Sequence, residues 1–302
     1  MKILITGGTG FVGQRLVKKL YQSGHEAVIT TRNAQRARAK EDTQAHFVEW
    51  DYKNEDFPSA ALEGIDGIIN LMGENISNKR WSDSQKKKIY DSRVLATKKL
   101  VEACEATLSE PLDFFISGSA IGIYPANTDE TLVETSPTAS GFLPDVCKDW
   151  EAEALKITKT KRTVICRTGV VLGPESGALS KLLPLFKLGA GGPIGSGKMV
   201  MSWIHVEDLV KALITFSEGE KFQGVYNLVA PNPVPNKEFT KSLAKAVHRP
   251  AIFPAPPFML KLVFGEMSSI ILDSQTIIPQ KLKEEGFQFD HPEIYEALQD
   301  LT

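Results

Sequence analysis

Three glycines at three-residue spacing, Gly7, Gly10 and Gly13, are the residues whose types and positions first suggest chemistry. They lie in the stretch MKILITGGTGFVG. A glycine in the first place permits a tight turn. The second lets backbone approach a pyrophosphate, and the third lets a helix lie close on a strand. The free N–H groups and partial positive charge of a helix N-terminus then face the phosphates. This requires a strand before the glycines and a helix after them. Residues 2–6 form a short apolar run, and residues 11–21 carry Val12, Leu16, Val17, Leu20 and Tyr21 on one helical stripe. A glycine-rich turn without a ligand is the competing reading; the strand and helix on either side favour a dinucleotide.

A second chemical signal follows the next strand, expected over residues 27–31 after a helix stop at Gly24. An NAD-preferring site places an acid about 20 positions after the glycine turn, on the ribose 2′-hydroxyl. Here the strand ends in Thr30, Thr31 and Arg32, without an acid. The forked donors of a guanidinium suit a phosphate, so Arg32 points to NADP(H). Arg36, Arg38 and Lys40 add positive charge, or form a solvated basic loop. A third strand, 46–50, ends at Asp51, which either accepts from the adenine amino group or closes a turn. A fourth, 67–72, is a continuous apolar run of the kind buried on both faces. Ligands in open α/β sheets bind beyond the carboxyl ends of strands, which makes Leu71, Met72 and Gly73 cofactor-side candidates.

Further elements position these groups. Ser82, with Gln85 three residues on, caps a helix expected to run to about 107. Arg93 lies midway along it, facing either the cofactor or, as an arginine does by default, the solvent. Strands are expected at 113–119, 163–168 and 225–229, and helices at 146–158, 178–188 and 206–218. Asn236 is placed to cap a helix over 237–247, and 260–272 reads as a packing helix. GAGGPIGSGK partly matches a phosphate-binding loop, but Met199 stands where Ser or Thr should bind magnesium and a strand follows, so a glycine-rich hairpin turn is expected. Phe253, Pro256, Pro257, Phe258 and Met259 line a substrate cleft or, by default, form the core of a small lobe.

A chain of 302 residues allows one large domain or two smaller ones. Its 42% hydrophobic and 24% charged residues are those of a soluble globular protein. A net charge of −2 gives no overall pull toward nucleic acid or anionic membrane. Cys104, Cys147 and Cys166 lack metal-like spacing and suggest a reducing, cytoplasmic setting without disulfides. No signal peptide, membrane span or metal is expected.

The motifs together resemble the extended short-chain dehydrogenase/reductase superfamily, in its nucleotide-sugar epimerase and dehydratase group. TGGTGFVG is similar to the TGxxGxxG signature, and Asp51, NLMG, SGSAIGIYP, CRTGVVLGP and SWIHVEDL follow in the family's order. NLMGENI, RW, GGPIGSG and SWIHVED more narrowly resemble the atypical branch called "epimerase family protein", with a C-terminal domain of uncharacterised function. The resemblance implies an α/β, Rossmann-type doubly wound parallel sheet over 1–172 and 203–230. It implies a small irregular substrate lobe over 173–202 and 231–302, with the C-terminal domain at about 248–296. Gly7, Gly10, Phe11, Val12 and Gly13 would hold the pyrophosphate, and Thr31 and Arg32 the 2′-phosphate. Leu71, Met72, Gly73 and Arg93 would lie beside the cofactor, and Val171 would offer backbone to its nicotinamide end. Members often pair through the long helices around Ser82 and Val146, which implies a homodimer.

The catalytic residues depart from the pattern. The superfamily uses a Tyr and a Lys four apart, with an earlier Ser or Thr. The Ser corresponds to Ser119 and the Lys to Lys148, but Pro144 stands where the Tyr belongs. That tyrosine exchanges the substrate proton while the nicotinamide moves a hydride, and the lysine lowers its pKa. Tyr124 is the nearest phenol in sequence, as proton carrier or as a packing residue. Lys148 serves the nicotinamide ribose or a relay water, or is a surface lysine. Cys147 reads as a packed thiol and His205 as support for a helix start. The expected function is an NADP(H)-dependent, epimerase-like oxidoreductase acting on a small polar substrate, such as a nucleotide sugar or a carbonyl compound. The alternative is an NADPH-binding sensor or scaffold whose catalytic pair has been lost.

Overall fold

The computed structural model describes residues 1–40 and 45–302; the Ala39 and Lys40 side chains fall outside what is described. Seven parallel strands form the main sheet: β1 (Lys2–Thr6), β2 (Glu26–Thr31), β3 (His46–Glu49), β4 (Gly67–Asn70), β5 (Phe114–Ala120), β7 (Thr163–Thr168) and β11 (Gly224–Leu228). Their order is β11-β7-β5-β4-β1-β2-β3. The chain leaves β1 in one direction for β2 and returns to its other side for β4, so the switch point lies between β1 and β4. The strand centres are apolar and buried because helices cover both faces.

Helices α1 (Phe11–Gln22) and α7 (Val206–Glu218) cover one face, where Leu16, Val17, Leu213 and Phe216 join Ile3, Ile5 and Ile29 in one core. On the other face α4 (Val94–Thr107) and α5 (Phe142–Ala154) pack Leu100, Cys104 and Ala154 against Leu4, Ile68 and Phe115. The short α2 (Ala34–Lys40) links β2 to β3, and α3 (Asp83–Asp91) precedes α4. The Ser82 hydroxyl caps α3 by accepting from the Gln85 N–H.

A third core builds the lobe from α6 (Gly177–Lys187), α8 (Asn236–Ala246) and α12 (Ile294–Asp300). Small strand pairs brace it: β8 (Val170–Leu172) with β10 (Trp203–His205), and β9 (Val200–Met201) with β12 (Val234–Pro235). A fourth cluster joins Tyr124, Leu132 and Ile277 where β6 (Thr131–Leu132) pairs with β13 (Thr276–Ile277). The lobe is not a clean C-terminal unit. Leu282 of α11 (Gln280–Glu284), with Phe287 and Phe289, packs on the first core beside α7.

Several elements differ from expectation. The helix expected from Ser82 to about 107 is two helices, broken between Asp91 and Val94 where the Arg93 side chain turns inward. The run 260–272 is also broken, into α9 (Pro257–Phe264), a 3₁₀ turn and α10 (Ser269–Leu272). Gly265 stops α9 at φ +59°, a conformation that glycine adopts without a Cβ clash. Asn236 does not cap α8; its carboxamide oxygen accepts from the Ile194 N–H across the lobe. The 194–197 turn is glycine-closed as expected, with Gly195 and Gly197 at positive φ, but its flanks pair with other segments rather than with each other. Phe253, Phe258 and Met259 form no lobe core, because all three are exposed.

Candidate cofactor and active site

The glycine turn sits at the switch point, and each glycine is there for a physical reason. Gly7 has φ +72°, and a Cβ on it would lie 2.7 Å from the Leu71 carbonyl oxygen at the end of β4. The Gly10 N–H closes the turn on the Gly7 carbonyl at 2.9 Å. A Cβ at Gly13 would overlap the Gly7 carbonyl and the Gly8 backbone. Gly10 is the N-cap of α1 and brings no side-chain cap, and no acid lies in the first turn. The helix therefore presents its N-terminal donors to an anion rather than to its own side chain. Val12, Leu71 and Val171 pack at the margin of the same core, and the Phe11 ring lies where any side chain at Gly173 would stand. These residues from three different strand ends thus surround one cradle, and they fit a dinucleotide pyrophosphate.

At the end of β2, Thr31 is half-buried and Arg32 exposed. Glu49, paired with Thr31 in register, is the nearby carboxylate, but its Oε1 accepts from the Ala34 N–H at 2.9 Å and so caps α2. The Arg32 and Glu49 side chains are both exposed, but the carboxylate is committed to the start of α2. Asp51 closes a turn, accepting from the Lys53 N–H at 3.2 Å and the Asn54 side chain at 2.8 Å.

Arg93 is not a surface arginine. Its guanidinium lies against Gly73, donates to the Glu74 and Ile89 carbonyls and sits 5.4 Å from the Trp150 ring centre. Burial pushes its pKa below the usual arginine value. Trp150 in turn donates to Thr97, which also accepts from Asn70; Asn70 accepts from Thr6 at 2.6 Å. Asn70 also donates to Ser117 in the middle of β5 at 3.2 Å, so this buried polar chain ties the ends of β1 and β4, and β5, to α4 and α5.

The catalytic candidates do not meet as a Ser–Tyr–Lys set. Ser119, at the carboxyl end of β5, donates to Glu151 Oε1 at 2.6 Å. Arg167 clamps the same carboxylate with two bonds of 2.8 Å, one to each oxygen. The Arg167 guanidinium also donates to the Tyr124 hydroxyl at 2.9 Å, and that hydroxyl donates to Asn227 at 2.8 Å. Tyr124 is 2% exposed, and burial raises its pKa above the ordinary phenol value. A hydroxyl so committed has its proton already placed. Lys148 lies on the outer side of α5, half-buried, paired with Asp145 at 2.7 Å. The neighbouring Cys147 thiol is buried and pushed up to about 12, chiefly by desolvation, which suits packing and not nucleophilic attack. Glu151 and Arg167 are the residues that sequence reading missed. Their signal was present: an arginine inside the apolar strand VICRT requires a buried acid.

His205 supports a helix start, as expected: its Nδ1 accepts from the Glu207 N–H at the cap of α7. His205, His291 and Asp300 place ligand-type atoms within 4.8 Å of one another. The bond at Nδ1 leaves the His205 proton on Nε2, 3.3 Å from Asp300, so this ring has no free lone pair for a metal.

Residues 3–228 match the NAD dependent epimerase/dehydratase family, and residues 255–301 match a domain of unknown function, DUF1731. The chain is 38% identical to the epimerase family protein YfhF of Bacillus subtilis, across 100% of this chain and 98% of that protein. It is 35% identical to the chloroplastic SDR39U1 homologue of Arabidopsis thaliana, across 100% of this chain and 86% of that one. A crystal structure of human epimerase family protein SDR39U1 with NADPH superposes with a TM-score of 0.89 at 32% identity, covering 100% of this chain and 99% of that one.

Proposed function

The chain belongs to the NAD dependent epimerase/dehydratase family, and we propose that it is an NADP(H)-dependent, epimerase-like oxidoreductase acting on a small polar substrate, a carbonyl compound or nucleotide sugar. The observation that carries the cofactor is the pairing of the glycine cradle with an exposed Arg32 where an NAD site carries an acid. The human relative crystallised with NADPH supports the same preference. Gly7, Gly10, Phe11, Val12 and Gly13 hold the pyrophosphate, and Thr31 and Arg32 the 2′-phosphate. Asp51 lies toward the adenine. Leu71, Met72, Gly73, Arg93 and Val171 line the path toward the nicotinamide.

The bound cofactor supplies or accepts a hydride. The chain positions the oxygen of the substrate. Because the Ser119 proton goes to Glu151, its oxygen keeps lone pairs for a substrate hydroxyl. Glu151, Arg167 and Tyr124 act as positioning residues that hold Ser119 in that state. Lys148, released from Asp145, serves the nicotinamide ribose or a relay water; that water would take the substrate hydroxyl proton as the hydride leaves and return it to the carbonyl oxygen in the reverse direction.

Fluorescence titration with NADPH and NADH tests the cofactor. NADPH binds more tightly, and Arg32→Ala weakens it by about 10- to 100-fold, the loss expected for a charge-assisted bond, while NADH is little changed. Equal affinities, indifferent to the substitution, would discard the assignment. A second reading, an NADPH-binding sensor, is favoured by the commitment of both the Ser119 and Tyr124 hydroxyls to internal partners. Stereospecifically deuterated NADPH separates the two: transfer of deuterium to any of a panel of aldehydes, ketones and nucleotide sugars rejects the sensor.

A further inference from the structure

The outer side of the lobe has its polarity reversed. Helix α9 buries no side chain fully. Phe258, Met259, Leu262 and Val263 share its solvent face at i, i+1, i+4 and i+5, while Leu260 and Phe264 turn inward. Leu262 is 75% exposed. Ile252 and Leu188, the latter 82% exposed, extend the same surface. These segments are contiguous because residues 249–257 run along 187–195. Arg249 donates to the Lys187 carbonyl, Phe253 to Gly191, Ala255 to Pro193, and Gly195 back to Ala255. Monomeric soluble proteins rarely leave so many large apolar side chains together in water, and such a patch marks a surface that is covered in use.

The charges around it say by what. Residues 177–198 and 247–265 hold five Lys and Arg (Lys181, Lys187, Lys198, Arg249 and Lys261) and no Asp or Glu. The whole chain carries a net −2, so this is a local reversal of sign. The next acid along the chain, Glu266, is already paired with Lys86, so apolar side chains that project from a helix face flanked by these cations match an anionic lipid surface, whose acyl boundary takes the former and whose headgroups take the latter. No helix among the described residues is long and apolar enough to cross a membrane, so the contact is peripheral. We infer that the α9 face of the lobe docks on anionic bilayers.

Co-sedimentation of the full chain with vesicles of one part phosphatidylglycerol to two parts phosphatidylcholine tests this. The protein partitions onto these vesicles and not onto pure phosphatidylcholine. Binding falls in about 1 M NaCl, where charges are screened beyond about 3 Å. Phe258→Asp with Leu262→Asp abolishes it. Lys187→Glu with Lys261→Glu lowers the partition at least tenfold, on the scale of about fivefold per cation near such a surface. All these residues are exposed, so melting temperature and NADPH affinity stay unchanged. Failure to bind the anionic vesicles, equal binding to neutral ones, or binding that survives both variants overturns the inference. So does a dimer in light scattering that Leu262→Asp dissociates, since a second copy would then be the occupant.

Discussion

Ser119, Glu151 and Arg167 show how a single charge can organise a site. A carboxylate in a buried position is costly unless it is paired and fully hydrogen-bonded. Glu151 meets this with two bonds from Arg167 and one from Ser119. Removing one partner leaves the other charged and buried, a loss of about 3–5 kcal/mol. Glu151→Leu should therefore lower stability by that amount in urea denaturation, and the double variant with Arg167→Met should recover much of it. A cycle in which the two losses simply add would show that the pair is not coupled. The glycine turn makes a simpler demand. Gly13→Ala sets a methyl group against the Gly7 carbonyl. Backbone on both sides cannot yield as a side chain would, so α1 must lift from β1. NADPH affinity should fall more than tenfold with a drop in melting temperature, whereas Gly24→Ala, where a Cβ meets nothing within 4 Å, should leave affinity intact.

Elements were legible in the sequence where their cause is local. The strand–glycine–helix opening, the Ser82 cap and the buried run of β4 carry their instructions within a few residues, and β1 and β7 begin and end where the pattern places them. The break at Arg93 was hidden because its cause is distant: Trp150, Gly73 and the Glu74 carbonyl draw the guanidinium inward. The Ser119–Glu151–Arg167 contact was hidden for the same reason, since it joins a strand, a helix and another strand far apart in the chain. The stop at Gly265 was readable only as a weak interruption, because glycine marks a break by its φ and not by its presence. That position gives a test at this scale. At φ +59° and ψ −137° a Cβ is strained by about 1–3 kcal/mol, and it would lie 3.0 Å from the Arg80 guanidinium. Gly265→Ala should speed amide hydrogen exchange across 257–272 while leaving the main sheet protected; uniform protection in both would show that the break is not needed.

Across the whole molecule, average composition conceals what the fold separates. The net charge of −2 spoke against anionic surfaces, yet the two segments that carry the exposed apolar side chains hold five cations and no acid. A second long-range device joins the C-terminal end to the dinucleotide-binding unit. His205, fully buried at the start of α7, stacks on His291 with ring centres 3.8 Å apart, and its Nε2 faces Asp300 of α12. The backbone N–H groups of Asp290 and His291 donate to the buried Asp208 carboxylate. Burial, then the neighbouring His291, pushes His205 down to about 4, against about 6.5 in an unfolded chain. Between those values the unfolded state binds the extra proton, so stability is complete above about pH 6.5 and declines as the pH falls toward 4. A shift of that size corresponds to at most about 3 kcal/mol. Asp208, raised by its burial, acts in the opposite sense: its contribution is present at low pH and is lost as it ionises. The raw pH profile therefore mixes the two, and a comparison isolates the histidine. His205→Asn keeps an oxygen able to accept from the Glu207 N–H but cannot take up a proton. Urea denaturation at pH 7 and pH 4.5 should show a smaller difference in the variant than in the parent chain. If the two differences are equal, the imidazole does not couple the C-terminal segment to pH.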